Sequence, residues 1–256
     1  MPLINSSLEQ SIGTIAFDRD AKRNALSTEF IAEVIAAFED FKKRSARVVV
    51  LRSATAGSVW SAGHDVNELP KADVDPLPYT DPLEQLLRTV KMFPAPVIAM
   101  VHGSVWGGAC DLVISCDLVY ADETAAFAVT PAKLGLPYNA SGLLNFMNHI
   151  PLNVVKEMFF SAEKISAERA ERVGIVNRIV PAAELEKTVY EMAFTLTTRS
   201  AESIAAAKES IRLLSEAAPL SPVTFEYLHG LRRDTYFGTD YHEGIKAFSE
   251  KRAPRF

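Results

Sequence analysis

Along this chain the apolar positions keep changing rhythm. SIGTIAFD (Ser11–Asp18) alternates in part and predicts a strand. Ser27 then stands as N-cap to TEFIAEVIAAFEDFKKR, where Phe30, Val34, Phe38 and Phe41 recur at helical spacing with Ile31 and Ile35 beside them. Lys42, Lys43 and Arg44 suit the negative end of that helix. RVVVLRS (Arg47–Ser53) is apolar without alternation, the mark of a strand buried on both faces. KADVDPLPYTDP (Lys71–Pro82) is rich in Pro and Asp and predicts a long mobile loop. LEQLLRTVKMF predicts a helix that stops at Pro94 and Pro96. VIAMVHG is a second buried strand, DLVYAD and AFAV are short ones, and TPAKLGLPYNASG (Thr130–Gly142) is rich in turn residues. From about Leu152 the pattern is almost wholly helical. SAERAERVG predicts a capped helix stopped by Gly174, NRIV a short strand, and four helical stretches follow to the end. Strand–helix units therefore fill the first two thirds, and helices the last.

The bulk numbers narrow the class. With 256 residues, 48% of them hydrophobic, the chain can build one large domain or a domain with a small appendage. A net charge of −5 speaks against nucleic acid as a partner. No run approaches the roughly 18 apolar residues of a membrane span. Cys110 and Cys116 read as small buried apolar residues rather than metal ligands, and with so few cysteines and no secretory leader the expected location is the reducing cytoplasm.

Chemistry is best sought at two junctions. WSAGHDVNEL (Trp60–Leu69) follows the first buried strand, and HGSVWGGACDL (His102–Leu112) follows the second and opens a helix. Glycine at the start of an apolar helix weakens it by about 1 kcal/mol per residue relative to alanine, so Gly107 and Gly108 ask for a reason. Peptide N–H groups at a helix start have no internal partner and can point at an oxygen outside, where the helix dipole favours negative charge. Two such junctions facing one cavity would form an oxyanion hole. The other reading of the glycines is close packing alone.

SAGHDVNEL, HGSVWGGACDL and SCDLVYAD, with RNAL at Arg23–Leu26 and EGIKAFSEKRAPRF at the end, resemble the crotonase (enoyl-CoA hydratase/isomerase) superfamily over essentially the whole chain. The resemblance implies an α/β (α+β) fold: a spiral of ββα turns over residues 1–195, then a C-terminal helical region, 196–256, that covers the active site and drives assembly into a homotrimer or a hexamer. It implies a coenzyme A thioester as substrate, with no separate cofactor and no metal. By position, the oxyanion donors are the N–H groups of His64 and Gly108. Gly107 lets the backbone approach the thioester oxygen.

A hydratase of this superfamily also uses two carboxylates. The first matches Asp111, one methylene shorter than the glutamate expected there. The second belongs to a PE-x-x-LG stretch that here reads TPAKLG, with Pro131 in the acid's place. TPAKLGLPYN together with GSVWGGA and SAGHD is similar to the methylmalonyl-CoA decarboxylase branch. That likeness implies conversion of methylmalonyl-CoA to propionyl-CoA through an enolate, with Tyr138 and Thr130 on the substrate carboxylate, Asp111 a possible acid and Trp106 on an apolar wall. Backbone at Arg23, Ala25, Ala62 and Val66 is expected along the adenine and pantetheine, and Phe248 and Lys251 near the nucleotide end. An enoyl-CoA hydratase or isomerase relying on Asp111 alone, and a non-catalytic thioester-binding subunit, stand as alternatives.

Overall fold

The computed structural model describes residues 2–69, 78–216 and 221–256, so most of the loop expected at 71–82 lies outside the described residues. The chain opens with β1 (Ile4–Glu9) and β2 (Ile12–Phe17), an antiparallel hairpin turned by Gln10 and Ser11, both at positive φ as a tight two-residue turn requires. The sequence reading lacks β1, because only Ile4 of INSSLE is buried and the strand carries almost no apolar signal. Helix α1 (Thr28–Lys43) follows, with the Ser27 hydroxyl accepting from the Phe30 amide and Phe30, Ile31, Val34, Phe38 and Phe41 buried as their spacing demands.

Three strand–strand–helix units come next. Strands β3 (Val48–Ser53) and β4 (Val59–Ser61) lead to α2 (Pro82–Met92); β5 (Val97–Val101) and β6 (Ser104–Trp106) lead to α3 (Gly108–Ile114); β7 (Leu118–Ala121) and β8 (Ala126–Ala128) lead to α4 (Ala140–His149). The first strand of each unit joins a six-stranded sheet in the order β1-β2-β3-β5-β7-β10, and the second joins a four-stranded sheet in the order β4-β6-β8-β9. β3, β5 and β7 are parallel neighbours, and so are β4, β6 and β8. Successive turns thus stack into the expected spiral. The remaining elements are α5 (Leu152–Ser161), β9 (Ile165–Ser166), α6 (Ala167–Val173), β10 (Arg178–Ile179), α7 (Ala182–Thr197), α8 (Ala201–Ser215), α9 (Pro222–Tyr236) and α10 (Thr239–Ser249).

The unbroken apolar strands have a physical reason. Val49 and Leu51 of β3 face the main core, whereas Val48 and Val50 face a second core covered by Leu185, Val189 and Ala193 of α7. β5 divides its residues the same way, Val97, Ala99 and Val101 against Ile98 and Met100. With a side-chain period of two, a sheet covered on both faces needs apolar residues at every position.

The expected division after residue 195 falls within the last turn of α7. Beyond it, Lys208 of α8 pins that helix to the body, its Nζ donating to the Val90 and Ala95 carbonyls and to Asp117 Oδ2. α10 lies against the turn Pro131–Leu134. A Cβ at Gly135 would strike the Asp240 carbonyl, and one at Gly244 the Leu134 carbonyl. Cys110 lies in α3 but Cys116 beyond its end; both are free and buried, and burial pushes the Cys110 thiol up to about 12. No helix among the described residues is long and apolar enough to cross a membrane.

Candidate active site

The two glycine junctions do meet. RNAL forms the first part of the framework, because Asn24 is buried and its Nδ2 donates both to Ser53 Oγ on β3 and to the Trp60 carbonyl on β4. That anchor sets Arg23–Leu26 alongside the second segment: the Ala62 amide donates to the Arg23 carbonyl at 2.8 Å, and the Leu26 amide to the Gly63 carbonyl at 2.8 Å. Gly63, at φ +80°, faces the third segment, where a Cβ would collide with the Trp106 carbonyl and stand 3.2 Å from the Gly108 nitrogen. Seen from the other side, a Cβ at Gly108 would stand 3.7 Å from the His64 nitrogen. The His64 and Gly108 amides are therefore neighbours contributed by separate turns of the spiral. Neither makes a backbone hydrogen bond outside the regular ladders among the described residues. The close packing that these glycines permit is what brings the two amides together.

Gly107 supplies the turn into α3, with φ +51° and ψ −123°, a conformation that side chains strongly resist. A Cβ there would touch Thr130 Oγ1 at 3.4 Å, which puts that hydroxyl beside the junction; it makes no cap bond to the turn that follows it. The His64 ring bonds the Asp65 carbonyl at 3.2 Å and faces Asp81 at 3.9 Å. Burial opposes a charge on this ring, but Asp81, the Asp65 carbonyl and Glu68 together hold it above the usual imidazole range.

One turn into α3 the character changes from main chain to side chain. Asp111 is 2% exposed, and its carboxylate accepts from Tyr138 Oη at 3.1 Å and from Asn145 Nδ2 at 2.6 Å. Asn145 also donates to Ser115 Oγ. Tyr138 stacks edge-on against Phe159 at 5.0 Å, and Gly142 leaves the room its ring occupies. Asn139 caps α4 through its Oδ1 and donates to Glu84 of α2, whose other oxygen accepts from Ser141. Burial raises the Asp111 carboxyl against the pull of Asn145, Lys91, Tyr138 and His149. Burial, then the charge of Asp111, raises Glu84. Burial, followed by Asp111, holds the Tyr138 hydroxyl well above its ordinary value. A cavity of about 830 Å³ lies behind this cluster, between α2, α3, α4 and α8, and Asp111, Glu84, Ser141, Gly142 and Asn145 line it.

The structure thus joins His64, Gly107, Gly108 and Thr130 at the front, with Asp111 and Tyr138 behind. Arg23, Ala25 and Ala62 lie on the paired segments, and Val66 opens the short turn after them. Trp106 adjoins through its backbone, and its ring meets the Lys164 ammonium at 5.5 Å. Phe248 stands exposed near the end of α10 and Lys251 in the turn beyond it, and no hydrogen bond or ring contact joins them to the other candidates among the described residues. Glu84, Asn139 and Asn145 are absent from the sequence reading. Among the described residues no group of three or more His, Cys, Asp or Glu is arranged to hold a metal ion.

With this geometry in place, likeness to known proteins can be weighed. Residues 7–256 match the enoyl-CoA hydratase/isomerase family. The methylmalonyl-CoA decarboxylase of Escherichia coli K12 is 42% identical over 253 residues, 99% of this chain and 97% of that protein. The carnitinyl-CoA dehydratase of Salmonella typhi is 33% identical, covering 94% and 92% of the two chains. A crystal structure of methylmalonyl-CoA decarboxylase complexed with 2S-carboxypropyl-CoA superposes with a TM-score of 0.98 at 41% identity, covering 100% of this chain and 98% of that one.

Proposed function

The chain belongs to the enoyl-CoA hydratase/isomerase family, and from that premise we propose that it is a carboxy-lyase that decarboxylates methylmalonyl-CoA to propionyl-CoA. The observation that carries this reading is the pair of adjacent amides, His64 and Gly108, with the neutral hydroxyls of Thr130 and Tyr138 beyond them and Pro131 where a hydratase of the family holds its second acid.

Decarboxylation of a malonyl-type thioester needs no base to begin. The bond to the carboxyl carbon breaks and its electrons become an enolate, provided that bond stands perpendicular to the thioester plane. His64 and Gly108 N–H donate to the thioester oxygen and take up its growing charge, a role in which one donor is worth about 3–4 kcal/mol. Tyr138 and Thr130 hold the carboxylate in the productive orientation. Neutral donors suit this better than Lys or Arg, which would stabilise the ground state as much as the transition state. Coenzyme A enters as part of the substrate, along the backbone of Arg23, Ala25, Ala62 and Val66 and beside Trp106, with Phe248 and Lys251 of this or a neighbouring subunit at its nucleotide end. No further cofactor is used.

We place the enzyme in the cytoplasm as a trimer or a dimer of trimers. The exposed apolar side chains Leu214, Val223, Phe225 and Tyr227 on α8 and α9 support assembly, and two free cysteines support a reducing compartment. Light scattering on the purified protein reads the assembly directly.

The test of the reaction is incubation with malonyl-, methylmalonyl-, ethylmalonyl- and crotonyl-CoA, read by mass spectrometry. Loss of CO2 from methylmalonyl-CoA is expected. Rapid hydration of crotonyl-CoA without any CO2 loss overturns the assignment in favour of a hydratase. Tight thioester binding with no turnover on any of the four overturns it in favour of a binding subunit.

A further inference from the structure

Each turnover consumes one proton. The enolate left after CO2 departs must gain a hydrogen at the carbon that carried the carboxyl. The site as read so far binds and orients but names no donor for it.

The geometry supplies one. Tyr138, which holds the departing carboxylate in the reading above, is hydrogen-bonded through its hydroxyl to Asp111 at 3.1 Å. Asp111 in turn lines the cavity behind α3, a space of about 830 Å³. Its other oxygen accepts from Asn145, which is itself tied to Ser115, so the carboxyl is fixed in place. Edge-on packing by Phe159 and the gap at Gly142 fix the Tyr138 ring. A single chain of side chains therefore runs from a space that water can enter to the face of the substrate from which CO2 leaves. We propose that Tyr138 delivers the proton to that face of the enolate and that Asp111 reloads Tyr138 from the rear cavity. The inference rests on the decarboxylase reading of the site.

With substrate bound, the Tyr138 O–H turns to the substrate carboxylate, and its oxygen is free to accept from the Asp111 carboxyl. After CO2 leaves, the Tyr138 O–H bond breaks as the new C–H bond forms. The Asp111 O–H bond breaks as the Tyr138 O–H re-forms. Solvent acid entering by the cavity restores the Asp111 proton, so the net source is one solvent proton per CO2. A neutral Asp111 also avoids setting a second negative charge behind the substrate carboxylate. Burial favours that neutral form. Glu84, Lys91, His149 and the Cys110 thiol are the other ionisable groups around the carboxyl, and the first three line the same cavity.

Two measurements in D2O test the relay. In the first, the wild-type protein turns over a single enantiomer of methylmalonyl-CoA, and deuterium is expected on the face that CO2 left, with retention of configuration. Equal deuteration of both faces, or inversion, overturns the proposal and needs no variant that might fail to fold. In the second, propionyl-CoA is incubated with enzyme to read hydrogen–deuterium exchange at its α carbon, which is the protonation step in reverse. Asp111→Asn is expected to slow exchange at least a hundredfold, while its single-turnover release of CO2 falls less than tenfold. Exchange within threefold of wild type overturns the relay. If the wild type releases no CO2 at all, it is the decarboxylase reading that fails instead.

Discussion

The front of the site and its rear are built on opposite principles. At the front, the proposed oxyanion donors are main-chain amides of His64 and Gly108, aimed by glycines at positions 63 and 107 and locked by backbone bonds from Arg23–Leu26. At the rear, Asp111, Tyr138, Asn145, Asn139 and Glu84 are side chains drawn from four segments and tied to one another. An amide aimed by the fold needs glycine at the turns that aim it, but asks nothing of the side chain of the residue that carries it. It can serve every member of a family whose reactions share a thioester oxyanion. A side-chain cluster is replaced residue by residue, so it is the part that can decide what happens to the enolate. Front substitutions should therefore act through the backbone and cost rate steeply, and rear substitutions should act through lost side-chain hydrogen bonds and cost rate less.

Gly107→Ala tests the front at its most demanding point. A side chain at φ +51° and ψ −123° forces the turn to relax and turns the Gly108 N–H away from the oxyanion. Losing one such donor typically costs about 100- to 1000-fold in kcat. We expect a fall in that range on methylmalonyl-CoA, together with a stability loss of about 1–3 kcal/mol from the strained backbone. A variant that keeps its rate removes the α3 amide from the hole.

Tyr138→Phe comes next. It deletes one hydroxyl, which in the proposed reading donates to a charged carboxylate, a bond worth about 1.5–3 kcal/mol. Turnover should fall roughly 10- to 100-fold, as 1.4 kcal/mol is a factor of about ten. Unchanged turnover takes Tyr138 out of the mechanism. The same deletion leaves Asp111 with one donor fewer, so the variant should also lose some stability.

Asn145→Leu addresses the rear without touching the substrate. It strips the Asp111 carboxylate of its shorter hydrogen bond and leaves Ser115 Oγ without that donor in a buried setting. Leaving a buried polar group unsatisfied costs about 1–3 kcal/mol, more for a charged one. Urea denaturation should show a loss of that size, and kcat a smaller one. A rate loss with intact stability would show that front and rear are not divided as described.

The division also explains what could be read from the sequence. The front was legible because glycine at a strand-to-helix junction is a local signal. GHD and GGA keep their meaning wherever the rest of the chain goes. The buried strands were legible because VVVLRS and VIAMV must be apolar at every position to serve two cores. The rear was legible only through Asp111 and Tyr138, which the family likeness supplied. Glu84 looks like any polar residue of an amphipathic helix, and only the fold lays α2 against Asn139. Helix α4 starts within the last residues of a turn-rich tract, although Asn139 as a cap before Leu143, Leu144, Phe146 and Met147 was a usable sign of it. Missing that helix meant missing Asn145.

The smallest expected effect is one of pH on stability, and it separates the two regions most cleanly. Burial holds the Asp111 carboxyl above the ordinary range, so folding favours its protonated form. That contribution is fully present below the unfolded carboxylate value of about 3.9 and is lost as pH rises through the raised folded value, beyond which the buried charge works against folding. Asp111→Asn has no such proton to lose. Its melting temperature relative to wild type should therefore climb as pH is raised from about 4. Glu84→Gln should move in the same sense, because burial and the charge of Asp111 raise Glu84 as well. Gly107→Ala should show no trend of this kind, since its neighbours at the hole donate through peptide N–H groups. A flat difference between Asp111→Asn and wild type across that range would mean that the Asp111 carboxyl ionises as easily in the folded chain as in the unfolded one.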